Sequence, residues 1–121
     1  MAKILLVEDQ EVLQAMIQMR LESAGHEVNL AGNGRECLDL VEKDGEHDLV
    51  LMDLHMPVMD GHEATRALRA RGYTRKVIAL TASVFADNQN QAREAGCDDV
   101  ITKPIGDDFE SVIEKILEGP E

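Results

Sequence analysis

The chain has 121 residues, the length of one ordinary domain, and roughly two-thirds of the unfolded chain's surface can be buried at that size. Hydrophobic residues make up 44% and charged residues 30%, a balance typical of globular proteins that argues against disorder. Twenty-four acidic residues outnumber twelve basic ones, and the net charge of -12 disfavours direct binding to nucleic acid or anionic membranes.

Five short runs rich in Val, Ile and Leu recur along the chain, and their spacing fits a strand followed by a helix. Alternation of this kind with right-handed crossovers predicts an α/β fold, a parallel sheet between helix layers. The first, third and fourth runs are apolar almost throughout, as expected for strands covered on both faces. The predicted strands are residues 3–7, 26–31, 48–52, 77–80 and 99–102.

The stretches between these runs carry apolar residues at helical spacing. We expect the first helix to end at Gly25, and the third to begin with a capping box from Asp60 to Glu63. The first helix is predicted to bury Leu13, Met16, Ile17, Leu21 and Ala24. The last has an apolar stripe with Asp107 or Asp108 available as its cap, formed by Phe109, Val112, Ile113, Ile116 and Leu117.

The fourth helix, residues 85–95, has the poorest pattern, because mainly alanines are available for burial. Few apolar anchors give low local stability, so we expect this helix to be the most easily displaced. A solvated outer face is the simpler explanation of the same composition when that composition is considered alone.

The amino-terminal residues and the cysteines indicate the compartment. MAKILLVED contains one Lys and a short apolar run broken by acids, so it does not have the pattern of a signal peptide. No apolar stretch approaches the ~18 residues that a membrane span requires. Cys37 and Cys97 lie in apolar segments and are predicted to be buried, reduced thiols. We therefore predict a soluble cytoplasmic protein.

Polar side chains follow four of the five predicted strands, and they carry the candidate chemistry. Glu8 and Asp9 follow the first strand, Asp53 the third, Thr81 the fourth and Lys103 the fifth. In open parallel sheets ligands bind outside the carboxyl ends of the strands. The sequence therefore predicts a site at which three carboxylates, a hydroxyl and an ammonium converge.

Three neighbouring carboxylates repel one another, and a single Lys leaves the predicted site with a surplus of negative charge. Carboxylate oxygens and water are suitable ligands for Mg²⁺, which would compensate that surplus. Asp53 could then accept a phosphoryl group, because this transfer requires little beyond in-line positioning and charge neutralisation. Two simpler explanations each account for part of this set. Acids are favoured at the start of a helix, which would explain Glu8 and Asp9, and an isolated salt bridge would explain Lys103. Neither explains why all these residues occur together.

The ordered set of residues resembles the receiver domain of two-component response regulators, from residue 3 to about residue 117. Single pieces such as TA or KP are uninformative, but the full set at these intervals is highly specific. The resemblance implies a single receiver domain, residues 1–121, with a five-stranded parallel sheet in the flavodoxin-like order 2-1-3-4-5 and five helices on both faces. It rests on Glu8-Asp9, Asp53 within LMDLHMPVMDG, Thr81-Ala82 and Lys103-Pro104.

The resemblance also implies the ligands and the phosphoryl donor. Asp53 is the expected phospho-acceptor, and the donor is a histidine on a histidine kinase or a histidine phosphotransfer protein. Asp9, Asp53 and the backbone carbonyl of His55 are the expected Mg²⁺ ligands, with Glu8 acting through water. Beyond its own phosphoryl transfer and slow autodephosphorylation, the domain is expected to have no enzymatic activity.

Output in this family passes through the face formed by helix 4, strand 5 and helix 5, here to an unknown downstream protein. Thr81 corresponds to the switch hydroxyl and Lys103 to the residue that contacts the phosphoryl group, with a cis peptide before Pro104. Val100 stands where many receivers have Tyr or Phe, so coupling must use Thr81 and backbone shifts or a different surface. Ser83 occupies a position that tunes phosphate lifetime in the family.

Two other functions use similar residues. A phosphatase of the haloacid dehalogenase type needs a second Asp two residues after its nucleophile, where this chain has His55, and a cap domain that 121 residues cannot contain. A degenerate module that binds partners without phosphate is disfavoured by the complete acid set. Only residues 119–121 follow the last helix, so we expect a stand-alone receiver or a domain excised from a longer protein such as a hybrid kinase.

Overall fold

Strands and helices alternate throughout the computed structural model, which describes residues 2–45, 47–83 and 85–119. The ends of the predicted domain, residues 1, 120 and 121, lie outside the described residues. The strands are β1 (Lys3–Val7), β2 (Glu27–Ala31), β3 (Leu49–Asp53), β4 (Lys76–Thr81) and β5 (Asp99–Thr102). The helices are α1 (Glu11–Ser23), α2 (Gly34–Asp44), α3 (Gly61–Ala70), α4 (Ala86–Ala95) and α5 (Phe109–Glu118). Every predicted strand end is confirmed to within one residue.

The five strands form one parallel sheet in the order β2-β1-β3-β4-β5, which confirms the predicted topology. The pairing register sets Val7 beside Met52 and Asp53 beside Leu80. The central strands β1, β3 and β4 therefore end at nearly the same level. Residues that follow these ends are brought to one edge of the sheet.

Alternate residues of the central strands enter two separate cores, one on each face of the sheet. Leu49 and Leu51 of β3 pack in the core that α1 and α5 cover, whereas Val50 and Met52 pack in the core under α2, α3 and α4. Helices therefore cover both faces, as predicted. The central strands are apolar almost throughout because neither face meets water.

The prediction for the buried face of α1 is wrong at two positions. Ile17 and Leu21 are buried, but Met16 and Ala24 are exposed. The sheet covers only a narrow stripe of this helix, and Ala24 lies past its last turn, where the chain leaves the core. Gly25 follows with a φ of 95°, a left-handed conformation that ends the helix as predicted.

Capping differs between α3 and α5. Asp60 Oδ1 accepts a hydrogen bond from Glu63 N at 2.9 Å, which confirms the predicted cap of α3. Asp108 holds the N-cap position of α5, but its side chain makes no capping bond there. Its backbone has φ -90° and ψ 7°, whereas a capping side chain requires an extended N-cap residue.

Helix α4 has the few apolar contacts that its sequence predicts. Within its described residues only Ala92 and Ala95 are buried. Its N-cap position is held by Phe85, an exposed residue whose side chain makes no capping bond. Its low local stability remains a prediction.

The two cysteines are buried and not joined in a disulfide, which confirms the expectation for them. Burial raises the pKa of the Cys37 thiol to about 12, and burial also raises the pKa of Cys97. Among the helices of the described residues, none is long and apolar enough to cross a lipid bilayer.

Candidate functional site

Three carboxylates converge at the carboxyl edge of the sheet. One oxygen from each of Glu8, Asp9 and Asp53 lies within 4.8 Å of the other two. Glu8 and Asp53 are buried, with 1% and 3% of their surface exposed, whereas Asp9 is exposed. The acids therefore form a cleft that is closed on the sheet side and open to solvent at Asp9.

Lys103 lies between two of these acids, as the predicted site requires. Its Nζ is 3.0 Å from Glu8 Oε1 and 3.3 Å from Asp53 Oδ1. The backbone of Lys103 is placed by β-pairing, since its N–H donates to the carbonyl of Thr81 at 2.8 Å. The Lys103-Pro104 peptide is cis, as the resemblance implies.

The electrostatics of the cleft reflect an excess of acids. Burial is the main cause of the raised pKa of Glu8, and the negative charge of Asp53 raises it further. Burial by itself would lower the pKa of Lys103, but the hydrogen bond to Glu8 and the charge of Asp53 outweigh it, so the pKa is raised. Three carboxylates and one ammonium thus leave a formal charge near −2 when all are ionised.

Thr81 and His55 lie at the same edge. Thr81 is fully buried at the end of β4, and its Oγ1 accepts a hydrogen bond from Ser83 N at 3.1 Å. The backbone N–H of His55 donates to Asp53 Oδ1 at 3.2 Å, while the His55 side chain is exposed. The loop after β3 is therefore tied to the carboxylate of Asp53, and the role of the His55 carbonyl as a ligand stays a prediction.

Two supporting residues were not predicted. A Cβ at Gly61 would overlap the carbonyl oxygen of Asp53, so only glycine lets α3 begin this close to β3. The side-chain amide of Gln14 donates to the carbonyl of Glu8 at 3.0 Å and fixes the start of α1 beside the acids. Gly61 stands in the quoted LMDLHMPVMDG motif and could have been found there, whereas no sequence pattern distinguishes Gln14.

The donor set fits a hard divalent cation. Carboxylate oxygens from two strand ends lie close enough to share one ion, and the single ammonium compensates only part of their charge. Mg²⁺ prefers oxygen ligands and keeps several waters, so the open side at Asp9 suits it.

A five-stranded parallel sheet with an acid cluster and a lysine at its carboxyl edge is the arrangement that the resemblance to receiver domains implies. The sequence matches the family model described as response regulator receiver domain over residues 4–116. The chain therefore belongs to the response regulator receiver domain family, whose members relay phosphoryl groups in two-component signalling.

Relatives and solved structures agree with this family. A two-component response regulator from rice, ORR41 of Oryza sativa subsp. japonica, is 38% identical over 116 residues that cover 93% of this chain and 91% of that protein. Three other curated relatives are longer, and the chain spans 44%, 5% and 50% of their length.

Two solved structures resemble this one closely. The receiver domain of sensor histidine kinase PA1611 from Pseudomonas aeruginosa, solved with a magnesium ion in its active-site cleft, has a TM-score of 0.85 and 34% identity, covering 97% of this chain and 94% of that one. The receiver domain of Ssk1 from Saccharomyces cerevisiae, crystallised with the histidine phosphotransfer protein Ypd1, has a TM-score of 0.83 and 30% identity over 94% of this chain and 85% of that one.

Proposed function

We propose that this chain is a phosphorylation-activated receiver that accepts a phosphoryl group from a phosphohistidine onto Asp53, with Mg²⁺ as its cofactor. The observation that carries the proposal is the meeting of Glu8, Asp9 and Asp53 within 4.8 Å beside the ammonium of Lys103. A buried carboxylate flanked by positive charge is a competent phospho-acceptor, since phosphoryl transfer depends mainly on positioning and charge neutralisation.

In this proposal some residues of the cleft bind the metal and others contact the phosphoryl group. Asp9, Asp53 and the backbone carbonyl of His55 would hold Mg²⁺ directly, and Glu8 would hold it through water. When bound, the ion supplies positive charge against the carboxylates and the incoming phosphoryl oxygens. An oxygen of Asp53 forms the new bond to phosphorus as the bond from phosphorus to the donor histidine breaks. Lys103, which already contacts Asp53, is in place to pair with the transferred group.

Docking of the donor is supported by an unusual surface next to the cleft. Helix α1 begins two residues after Asp9, and its outer side exposes Val12, Met16 and Met19, which are 86%, 38% and 62% exposed. Exposed apolar side chains grouped near a site are typical of a protein interface. We propose that a histidine kinase or a histidine phosphotransfer protein covers this surface when its histidine reaches Asp53.

The output of the domain is proposed to pass through α4, β5 and α5 to an unknown downstream protein. Thr81 would donate its hydroxyl to a phosphoryl oxygen, and Val100, a half-buried aliphatic residue, provides no aromatic rotamer switch. We propose no turnover beyond the domain's own phosphoryl transfer and slow autodephosphorylation. Buried reduced thiols support a cytoplasmic location, and the charge of -12 supports the absence of direct nucleic-acid or membrane binding.

The proposal is tested by incubating the protein with acetyl phosphate and Mg²⁺ and measuring intact mass. The wild type should gain one phosphoryl group, and Asp53→Asn should gain none. Asp60→Asn is the matched control, because Asn caps a helix about as well as Asp and Asp60 serves as a cap. Full labelling of Asp53→Asn would refute the assignment.

The metal is tested separately by titrating Mg²⁺ into the protein in a calorimeter. Asp9→Asn removes a proposed direct ligand and should weaken Mg²⁺ binding, whereas Asp60→Asn should leave the affinity unchanged. An unchanged affinity of Asp9→Asn would count against a ligand role for Asp9.

A further inference from the structure

The hydroxyl of Thr81 is joined to the backbone of Ser83. Thr81 Oγ1 accepts a hydrogen bond from Ser83 N at 3.1 Å. A hydroxyl has two acceptor lone pairs and one donor hydrogen, so this bond leaves the hydrogen of Thr81 available for a phosphoryl oxygen. If Oγ1 moves toward such an oxygen, the N–H of Ser83 must either follow it or lose its acceptor.

Ser83 in turn holds the first half of α4 through polar contacts. Its Oγ accepts hydrogen bonds from Asn88 Nδ2 at 2.8 Å and from Phe85 N at 3.3 Å. Its carbonyl oxygen accepts a hydrogen bond from Gln89 Nε2 at 3.3 Å. A displacement of Ser83 therefore changes the contacts of two successive side chains of the helix.

The opposite end of α4 is fixed by Arg69 of α3. The Nε and Nη2 atoms of Arg69 donate to the carbonyl of Gly96 at 3.0 and 2.9 Å, and Nη2 also reaches Asp98 at 2.9 Å. Both buried residues of the helix, Ala92 and Ala95, lie in this half. The carboxyl end of α4 is thus held by packing and a guanidinium, while the amino end is held by exposed or part-buried polar contacts that cost less to rearrange.

We propose that Ser83 is the positioning residue that couples Thr81 to α4, so that movement of the Thr81 hydroxyl turns the helix about its anchored end at Gly96. This inference rests on the proposed function, since it needs a phosphoryl group on Asp53 to attract Thr81. It provides a route to the output face in a chain whose residue 100 is Val.

The test compares amide hydrogen exchange of residues 86–89 with and without beryllofluoride and Mg²⁺, which together mimic the phosphorylated state. Asn88→Ala removes a bond to Ser83, and Asn90→Ala is its matched control. Both change an exposed Asn of α4 to Ala, and the side-chain hydrogen bonds described for Ser83 go to Asn88 and Gln89 of this helix, not to Asn90. Ser83→Ala removes the acceptor hydroxyl, and Ser83→Thr retains it.

In the wild type, beryllofluoride should change the exchange rates of these amides. The size of that change should fall by about fivefold in Ser83→Ala and in Asn88→Ala, the factor that corresponds to the net contribution of one hydrogen bond. Asn90→Ala and Ser83→Thr should respond as the wild type does. A merely structural role of Ser83 would shift the rates equally with and without beryllofluoride, and that result would overturn the coupling.

Amide resonances of Asp53 and Lys103 report separately whether the mimic has bound. If they shift in every variant while Ser83→Ala keeps the full response of α4, the coupling is wrong and the proposed function stands. If they do not shift even in the wild type, the proposed function is wrong and this inference fails with it.

Discussion

Replacement of Lys103 by Met should destabilise the metal-free protein, and Mg²⁺ should restore part of the loss. The ammonium contacts two carboxylates that are 1% and 3% exposed, and removing the cation from a buried ion pair costs about 3–5 kcal/mol. The side chain of Lys103 is itself 18% exposed, so water compensates part of this cost. We therefore expect the free energy of unfolding to fall by about 2–3 kcal/mol.

The same loss of positive charge should raise the affinity of the cleft for Mg²⁺. Each tenfold gain in affinity adds about 1.4 kcal/mol to the ion's stabilisation of the folded state. Saturating Mg²⁺ should therefore reduce the difference in free energy of unfolding between Lys103→Met and the wild type. Urea unfolding followed by far-ultraviolet circular dichroism measures both effects, since the chain has no Trp for fluorescence.

Lys103→Arg is the matched control for this experiment, because it keeps the positive charge and should lose much less stability. Equal losses in Lys103→Arg and Lys103→Met would mean that shape rather than charge matters at this position. A Lys103→Met protein as stable as the wild type, with no extra response to Mg²⁺, would refute the electrostatic description of the cleft.

Three further measurements test other parts of the structure. Gly61→Ala should lower the free energy of unfolding by about 2 kcal/mol, because the new methyl group displaces the backbone of Asp53. The same displacement should slow labelling by acetyl phosphate. Unchanged stability and labelling would contradict that contact. Val58 has a φ of 71°, which is strained for a β-branched residue. Val58→Asn should therefore raise the free energy of unfolding, measured in urea, by about 1 kcal/mol. A decrease would argue against strain at this position. The hydrogen bond from Arg20 lowers the pKa of Glu110 from 4.5 to about 2, so its stabilising effect is complete above pH 4.5 and is lost as the pH falls through 2. The stability difference between the wild type and Glu110→Gln should shrink over that range, and a constant difference would refute the pairing.

Membership of the receiver family changes how the exposed surfaces of the chain are understood. The apolar side chains on the outer side of α1 would be a liability in an isolated domain, and in the proposed function a donor protein covers them transiently. Substituting Met16 by Glu should therefore impair transfer from a phosphohistidine donor while labelling by acetyl phosphate continues. If Met16→Glu and the wild type are labelled at the same rate by the phosphohistidine donor as well as by acetyl phosphate, α1 is not the docking surface.

The amino-acid sequence by itself determined the order of strands and helices and the chemical content of the site. Strands buried on both faces must be apolar throughout, so they are visible as runs, and the polar residues that end them are brought together by any parallel sheet. That is why Asp53 and Lys103 could be assigned to one cleft before their contact was observed.

Only the tertiary structure decided which groups touch which. Lys103 bonds Glu8 across 95 residues of sequence, and Ser83 links Thr81 to α4, because the packing of the elements sets the distances between these groups. The exposed position of Met16 and the unused cap at Asp108 have the same origin. A helical pattern shows which residues can be buried or can cap, but the neighbouring element determines which of them are.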